Sequence, residues 1–134
     1  TKPQHRILAE QIMSAVGKAI WLNDENHMDA VTAVSGTGPA YFYLLIEIMI
    51  EAAINNGIDP KVARTLAVET ARGASALSAA TEEEMKTMIE KVSSPGGTTM
   101  AAFEYLEAKD AKKIFSKAID VAKKRASELA KEAN

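Results

Sequence analysis

Two short stretches hold residues whose types and spacing could do chemistry. The first is Ser93-Ser94-Pro95-Gly96-Gly97-Thr98-Thr99, the densest run of small, hydroxylated and turn-forming residues in the chain. Pro95 fixes one φ angle, Gly96 and Gly97 free the next two, and an apolar-periodic segment follows the threonines. That is the layout of a tight loop feeding a helix N-terminus. The first N–H groups of a helix have no internal partner and lie at the positive end of its dipole. An anion, a carboxylate above all, is the natural guest there. The same letters also read as a plain Ser/Thr cap after a glycine turn. A second stretch of similar build, Ser35-Gly36-Thr37-Gly38-Pro39, also precedes an apolar helix. No side chain in Ser93–Thr99 titrates near pH 7, so any chemistry there would rest on hydrogen bonding and positioning.

Other chemistries find little support. The chain has no cysteine, which excludes disulfide and thiolate chemistry and fits a cytoplasmic, reducing setting. His5 and His27 have no Cys/Asp/Glu set at ligand spacing, so no metal site is expected. No Gly-x-Gly-x-x-Gly follows a strand, and no P-loop, His-Glu-x-x-His or nucleophile elbow is present. Formal net charge is −2 with no basic stripe, which argues against nucleic acid. The apolar run Tyr41 to Ile54 is interrupted by Glu47 and Glu51 and is shorter than the roughly 20 residues a membrane span needs. It therefore reads as a buried helix. A first residue Thr rather than Met reads as a piece of a longer chain.

The elements that must position the two stretches read almost wholly as helices. With 134 residues, 47% of them hydrophobic, there is room for one domain and a modest core. Residues 4–16 carry Leu8, Ile12 and Val16 at helical spacing, with Gly17 as a stop. Ala19-Ile20-Trp21-Leu22 has the length of a strand, but a single strand forms no sheet. Asp29 to Val34 predicts a short helix ending at Ser35-Gly36. Pro39 sits in the first turn of the next helix, which runs to about Asn56 and stops at Gly57. In that helix Tyr41, Phe42, Leu44, Leu45, Ile46, Ile48, Met49, Ile50 and Ile54 surround the axis, so it must be buried all round. A helical monomer of this size has little to cover it with, which points to a second copy of the chain.

Asp59-Pro60 opens a helix to about Ser78 as N-cap and first residue. Ala63, Ala67, Ala71 and Ala74, with Gly73 beside them, make a small-residue stripe suited to close packing. Thr81 and Glu84 read as a capping box for a helix bearing Met85, Met88, Ile89 and Val92. That helix delivers the chain to Ser93. Met100, Phe103 and Leu106 then predict a short helix ending near Ala108. Phe115, Ile119, Ala122, Ala126 and Leu129 form a coiled-coil-like seam on a last helix from about Ala111 to Lys131.

Taken together, Asp29 to Tyr41 (Asp-Ala-Val-Thr-Ala-Val-Ser-Gly-Thr-Gly-Pro-Ala-Tyr) and Val92 to Thr99 resemble the C-terminal half of pyrroline-5-carboxylate reductase, and the spacing between them fits as well. Arg125 and Glu128-Leu129 fit at the end of the chain. The departures are Thr37, where the family usually has Ser, and Glu83-Glu84-Met85, where a Pro is common before the helix. Neither touches the central loop. The resemblance implies an NADPH- or NADH-dependent reductase that converts 1-pyrroline-5-carboxylate to L-proline. It implies an all-α, helical dimerisation domain of the 6-phosphogluconate dehydrogenase C-terminal-like type, intertwined in a homodimer. Rings of dimers occur in the family. Residues 1–22 would then be the last helix and strand of an N-terminal Rossmann domain, and 23–134 the dimerisation and substrate-binding domain.

Residue by residue, the resemblance implies that the N–H groups of Gly97, Thr98 and Thr99, with the Ser94 hydroxyl, bind the substrate carboxylate. The Thr99 hydroxyl would hydrogen-bond the ring nitrogen as the catalytic contact. Glu82 would lie near the substrate, although as the first residue of a helix it would also simply complement the dipole. Ser35, Gly36, Thr37, Gly38 and Pro39 would approach the nicotinamide end of the cofactor. Two other readings remain at this point. A related NAD(P)-dependent imine or hydroxyacid reductase would want a catalytic Lys or Asn near the loop, and Ser93–Thr99 offers neither. A non-enzymatic helical dimer explains the apolar helix but not the two hydroxyl-glycine stretches.

Overall fold

Local punctuation sets the architecture. The computed structural model describes residues 3–132. Residues 1 and 2 of the expected 1–22 segment and 133 and 134 of the expected 23–134 segment lie outside the described residues. All regular structure among the described residues is helical. The order is α1 (Pro3–Ser14), a 3₁₀ turn (Glu25–His27), α2 (Met28–Val31), a π-helical turn (Thr32–Gly36), α3 (Gly38–Asn55), α4 (Pro60–Ala79), α5 (Met85–Lys91), α6 (Thr98–Ala108) and α7 (Ala111–Glu132).

Within one copy the Ala19–Leu22 segment takes no regular secondary structure. A strand without a neighbour makes no ladder. Instead Trp21 turns back on α1. Its indole N–H donates to Glu10 Oε2 at 3.3 Å, and the Arg6 guanidinium stands 4.5 Å from the ring centroid.

The segment expected to end at Ser35-Gly36 does not break. An extra residue is absorbed into the π turn, where Thr37 N–H donates to Thr32 O at 2.9 Å, five residues back. Helix therefore continues from Glu25 to Asn55, 31 residues, which by length and composition is long and apolar enough to cross a membrane. The length argument made from Tyr41–Ile54 alone falls with that continuity. α3 ends as its sequence dictates, with Gly57 at φ 87°. Asp59 then caps α4 by accepting from Lys61 N–H at 2.9 Å and Val62 N–H at 3.2 Å.

α3 packs on α4, and Ala63 and Ala67 are buried at that contact. The small-residue stripe is used only in this half. Ala71 is half-buried, Ala74 is exposed, and a Cβ at Gly73 would meet nothing within 4 Å. The expected close approach at Gly73 is therefore absent within one copy. α7 packs on α2, the π turn and α6. Its seam is half covered: Ile119, Ala122 and Ala126 are half-buried, while Phe115 and Leu129 are exposed. Arg125 reaches along α7 to Glu128 at 3.2 Å and Glu132 at 2.9 Å. The bonds to Glu132 and then Glu128 hold its guanidinium above the usual arginine value.

Among the described residues, the buried apolar set within one copy is Ala33, Ala63 and Ala67. On α3, Phe42 is 60%, Tyr43 69% and Ile48 51% exposed. The helix expected to need cover on every side has found it on one.

Candidate functional site

The Ser93–Thr99 stretch folds as its proline and glycines require. α5 ends with the Ser93 hydroxyl donating to Ile89 O at 2.7 Å, which ties the loop's first residue to the last turn of the helix. Ser94-Pro95-Gly96-Gly97 then makes a type II turn. Pro95 stands at the second position, Gly96 takes φ 70° at the third, and Gly97 N–H donates to Ser94 O at 2.9 Å. Gly97 is the N-cap of α6, extended at φ −81° and ψ 167°, with no side-chain cap bond. The turn is tight enough that a Cβ on Gly97 would lie 2.5 Å from Ser94 Oγ and 3.0 Å from Ser94 O. The Ser94 hydroxyl thus leans over the start of α6.

The geometry alters the donor set. Gly97 N–H is spent inside the turn, so it is not the free donor the sequence reading made it. The N–H groups of Thr98, Thr99 and Met100 take no partner among the described residues, nor do the hydroxyls of Ser94, Thr98 and Thr99. Thr99 and Met100 are half-buried, Ser94 and Thr98 exposed. Three N–H groups in one helical turn, at the positive end of an 11-residue helix, with neutral hydroxyls beside them, can hold a carboxylate and still donate to a ring nitrogen or accept from it. Met100 N–H is a free donor that the sequence reading did not count. The turn type was the signal, because a Pro-Gly pair at its centre commits the fourth residue's N–H to the first residue's carbonyl.

Glu82 is not brought to this loop by any hydrogen bond or ion pair among the described residues. It lies exposed in a bend before α5, and the capping box expected there is corrected. Thr81 Oγ1 accepts from Glu83 N–H at 3.2 Å, a tight local turn, and the helix starts only at Met85 with Glu84 as N-cap. Glu83 pairs with Lys91, which fastens this bend to the end of α5, two residues before Ser93.

Ser35, Gly36, Thr37, Gly38 and Pro39 form no open loop. Ser35 and Gly36 belong to the π turn, Thr37 follows it, and Gly38 and Pro39 open α3. Widening the turn frees carbonyls from their usual partners, and hydroxyls answer them. Ser35 donates to Val31 O at 2.8 Å and Thr37 to Thr32 O at 3.3 Å, while the Tyr41 hydroxyl lies 3.5 Å from Ala33 O. The two serine/threonine hydroxyls keep only acceptor capacity for a ligand. Gly38 is buried at the start of α3, whereas Gly36 is exposed and a Cβ on it would meet only Thr32 Cγ2 at 3.6 Å, so a flat ring could approach the backbone at Gly36. The π turn and α6 both rest on α7, which is their common support within one copy.

Comparison with known proteins bears on these motifs. Residues 25–129 match the family model described as pyrroline-5-carboxylate reductase dimerisation. The chain is 42% identical over 124 residues to a pyrroline-5-carboxylate reductase of Pseudomonas aeruginosa, covering 92% of this chain and 45% of that protein. It superposes on a pyrroline-5-carboxylate reductase structure from Coxiella burnetii with a TM-score of 0.90 at 38% identity, covering 96% of this chain and 48% of that one. A Plasmodium falciparum pyrroline carboxylate reductase with NADP bound gives a TM-score of 0.87 at 26% identity, covering 96% and 49%. The chain spans about half the length of the curated relatives it matches. With the family model covering both hydroxyl-glycine stretches, the chain belongs to the pyrroline-5-carboxylate reductase dimerisation family.

Proposed function

We propose that this chain is the dimerisation and substrate-holding part of an NAD(P)H-dependent reductase that converts 1-pyrroline-5-carboxylate to L-proline in the last step of proline biosynthesis. The observation that carries the reading is the start of α6. Three unpartnered N–H groups follow a turn held by Pro95 and Gly96, in a chain of this family. Residues 1–22 are read as the end of a preceding nucleotide-binding domain. Exposed Ile7, Leu8, Ile12 and Met13 on α1 support this, since they have no cover here. A second copy covers α3, which makes the working unit a homodimer. The absence of cysteine suits a cytoplasmic setting.

In this reading the substrate carboxylate sits on the N–H groups of Thr98, Thr99 and Met100, with the Ser94 hydroxyl at its edge. The bound carboxylate fixes the ring, and the Thr99 hydroxyl meets the imine nitrogen. A neutral hydroxyl suits that place, because the nitrogen carries a proton when the imine carbon accepts the hydride and a lysine would repel that charge. The bound dinucleotide supplies the hydride to the imine carbon, and the proton resides on the ring nitrogen. The exposed backbone at Gly36 fits the approach of a flat nicotinamide, and the Ser35 and Thr37 oxygens are left as acceptors. Catalysis then rests on holding the ring against the cofactor, with no side chain of the loop changing its charge.

Titrating L-proline into the protein while recording backbone amide spectra tests the site. Shifts centred on Thr98, Thr99 and Met100, with Gly97 moving less because its N–H is held by the turn, are the expected result. Saturable shifts elsewhere, with none at α6, would remove this loop from substrate binding.

A further inference from the structure

Resting on the substrate-holding reading and deepening it, we infer that Glu83 and Lys91 are positioning residues for the substrate loop. Their ion pair braces α5, and α5 sets where Ser93 and Ser94 stand. The loop hangs between two unequal supports. Downstream, α6 has 11 residues and packs on α7. Upstream, α5 has 7 residues and no comparable packing among the described residues. Backbone bonds alone do not hold a helix that short, since isolated helices below about 12–15 residues are marginal in water. Its start has no side-chain cap bond. Its apolar residues give it little cover within one copy: Met88 is half-buried, while Met85, Ile89 and the C-cap Val92 are exposed.

What fastens α5 is charge. Glu83 lies in the bend ahead of the helix and Lys91 is its last residue, so their pair brackets the whole helix, about 10 Å of it. Lys91 in the last turn also suits the negative end of the helix dipole. The other pair on α5, Lys86 with Glu90 at 3.9 Å, runs in the sense that opposes the dipole and does not reach the bend. The braced end is where the loop is tied on. Ser93 Oγ donates to Ile89 O at 2.7 Å, and Ser93 N–H donates to Glu90 O at 3.1 Å. Ser94 O then accepts from Gly97 N–H at 2.9 Å, which closes the turn onto α6. Fraying of α5 at Lys91 therefore moves Ser93, and with it the Ser94 hydroxyl at the edge of the proposed carboxylate position.

L-Proline affinity, read at the Thr98, Thr99 and Met100 amides of the chain and of its Glu83→Gln and Lys91→Gln variants, tests this. A brace and a bare charge effect differ in sign. For a brace, either neutralisation breaks the pair, so both variants bind L-proline about two- to fivefold more weakly, the range an exposed ion pair covers. Both also speed amide exchange along α5, and Lys91→Arg, which restores the pair, restores the affinity. At about 1 M salt, where the screening length is about 3 Å, the difference between the variants and the unaltered chain closes. For bare charge, removing Lys91 weakens the hold on a carboxylate and removing Glu83 strengthens it, and that split would overturn the inference. Equal affinity in every variant would overturn it too and leave the substrate loop standing. L-Proline shifts that miss α6 in the unaltered chain would end both.

Discussion

Gly97 sits where a single methyl group separates fold from function. Its φ of −81° and ψ of 167° suit any residue, so backbone strain is not the reason for a glycine. Space is the reason: a Cβ would stand 2.5 Å from Ser94 Oγ, a side-chain atom that can swing away, and 3.0 Å from Ser94 O. Gly97→Ala is therefore expected to fold and pair while displacing the Ser94 hydroxyl from the proposed carboxylate position. In the whole enzyme, kcat/KM should fall by about 1–2 kcal/mol equivalent, roughly 5- to 30-fold and mainly through KM. Steady-state kinetics beside a melting curve would check it, and an unchanged KM would detach Ser94 from substrate binding. Thr99→Ala removes the contact proposed to the ring nitrogen instead, with an expected loss of about 1–3 kcal/mol equivalent in kcat/KM and a share in kcat. Unchanged kinetics would take Thr99 out of the site. The loop was legible in the sequence because proline and glycine pin their own backbone angles. The donor set was less so: whether Gly97 N–H is free depends on a hydrogen bond, and composition does not display hydrogen bonds.

Among the elements, boundaries marked by such residues came out where the letters put them. Gly57 ends α3, Asp59-Pro60 opens α4, and α7 starts at Ala111. The N-cap at Asp59 accepts two backbone N–H groups, so Asp59→Ala should cost about 1 kcal/mol. That loss would be read as a lower urea midpoint at fixed protein concentration, and a midpoint that does not move would mean α4 gets its start from packing alone. The π turn was not legible. One inserted residue shifts the apolar pattern by about 100°, and Ser35, Gly36 and Gly38 read equally well as a break. What keeps the helix going is the answering of freed carbonyls by Ser35 and Thr37, a three-dimensional match with no signature in spacing. The capping box failed for a related reason: Thr81 and Glu84 have the right interval, but the Thr81 oxygen found a nearer N–H at Glu83.

For the molecule as a whole, the deciding question is what covers the helical run Glu25–Asn55. Its 31 residues satisfy a bilayer by length and composition as well as they satisfy a protein partner. The two solutions differ in how they treat Glu47 and Glu51. Both are exposed beside the groove between α3 and α4, one turn apart, with Arg64 and Val68 across from them. In a span, charged groups at mid-depth cost about 2.5–3.5 kcal/mol each. At a protein interface the same carboxylates reach the wet rim, with Arg64 near, while Phe42, Leu45 and Ile48 are covered. A second copy therefore satisfies the helix on both its apolar and its acidic sides, and lipid satisfies only the first. Mixed with phosphatidylcholine vesicles and spun through a density gradient, the protein is expected to stay with the dense fraction while the vesicles float. Flotation with the vesicles would mean that lipid covers α3 and that pairing between copies is not what the apolar helix is for.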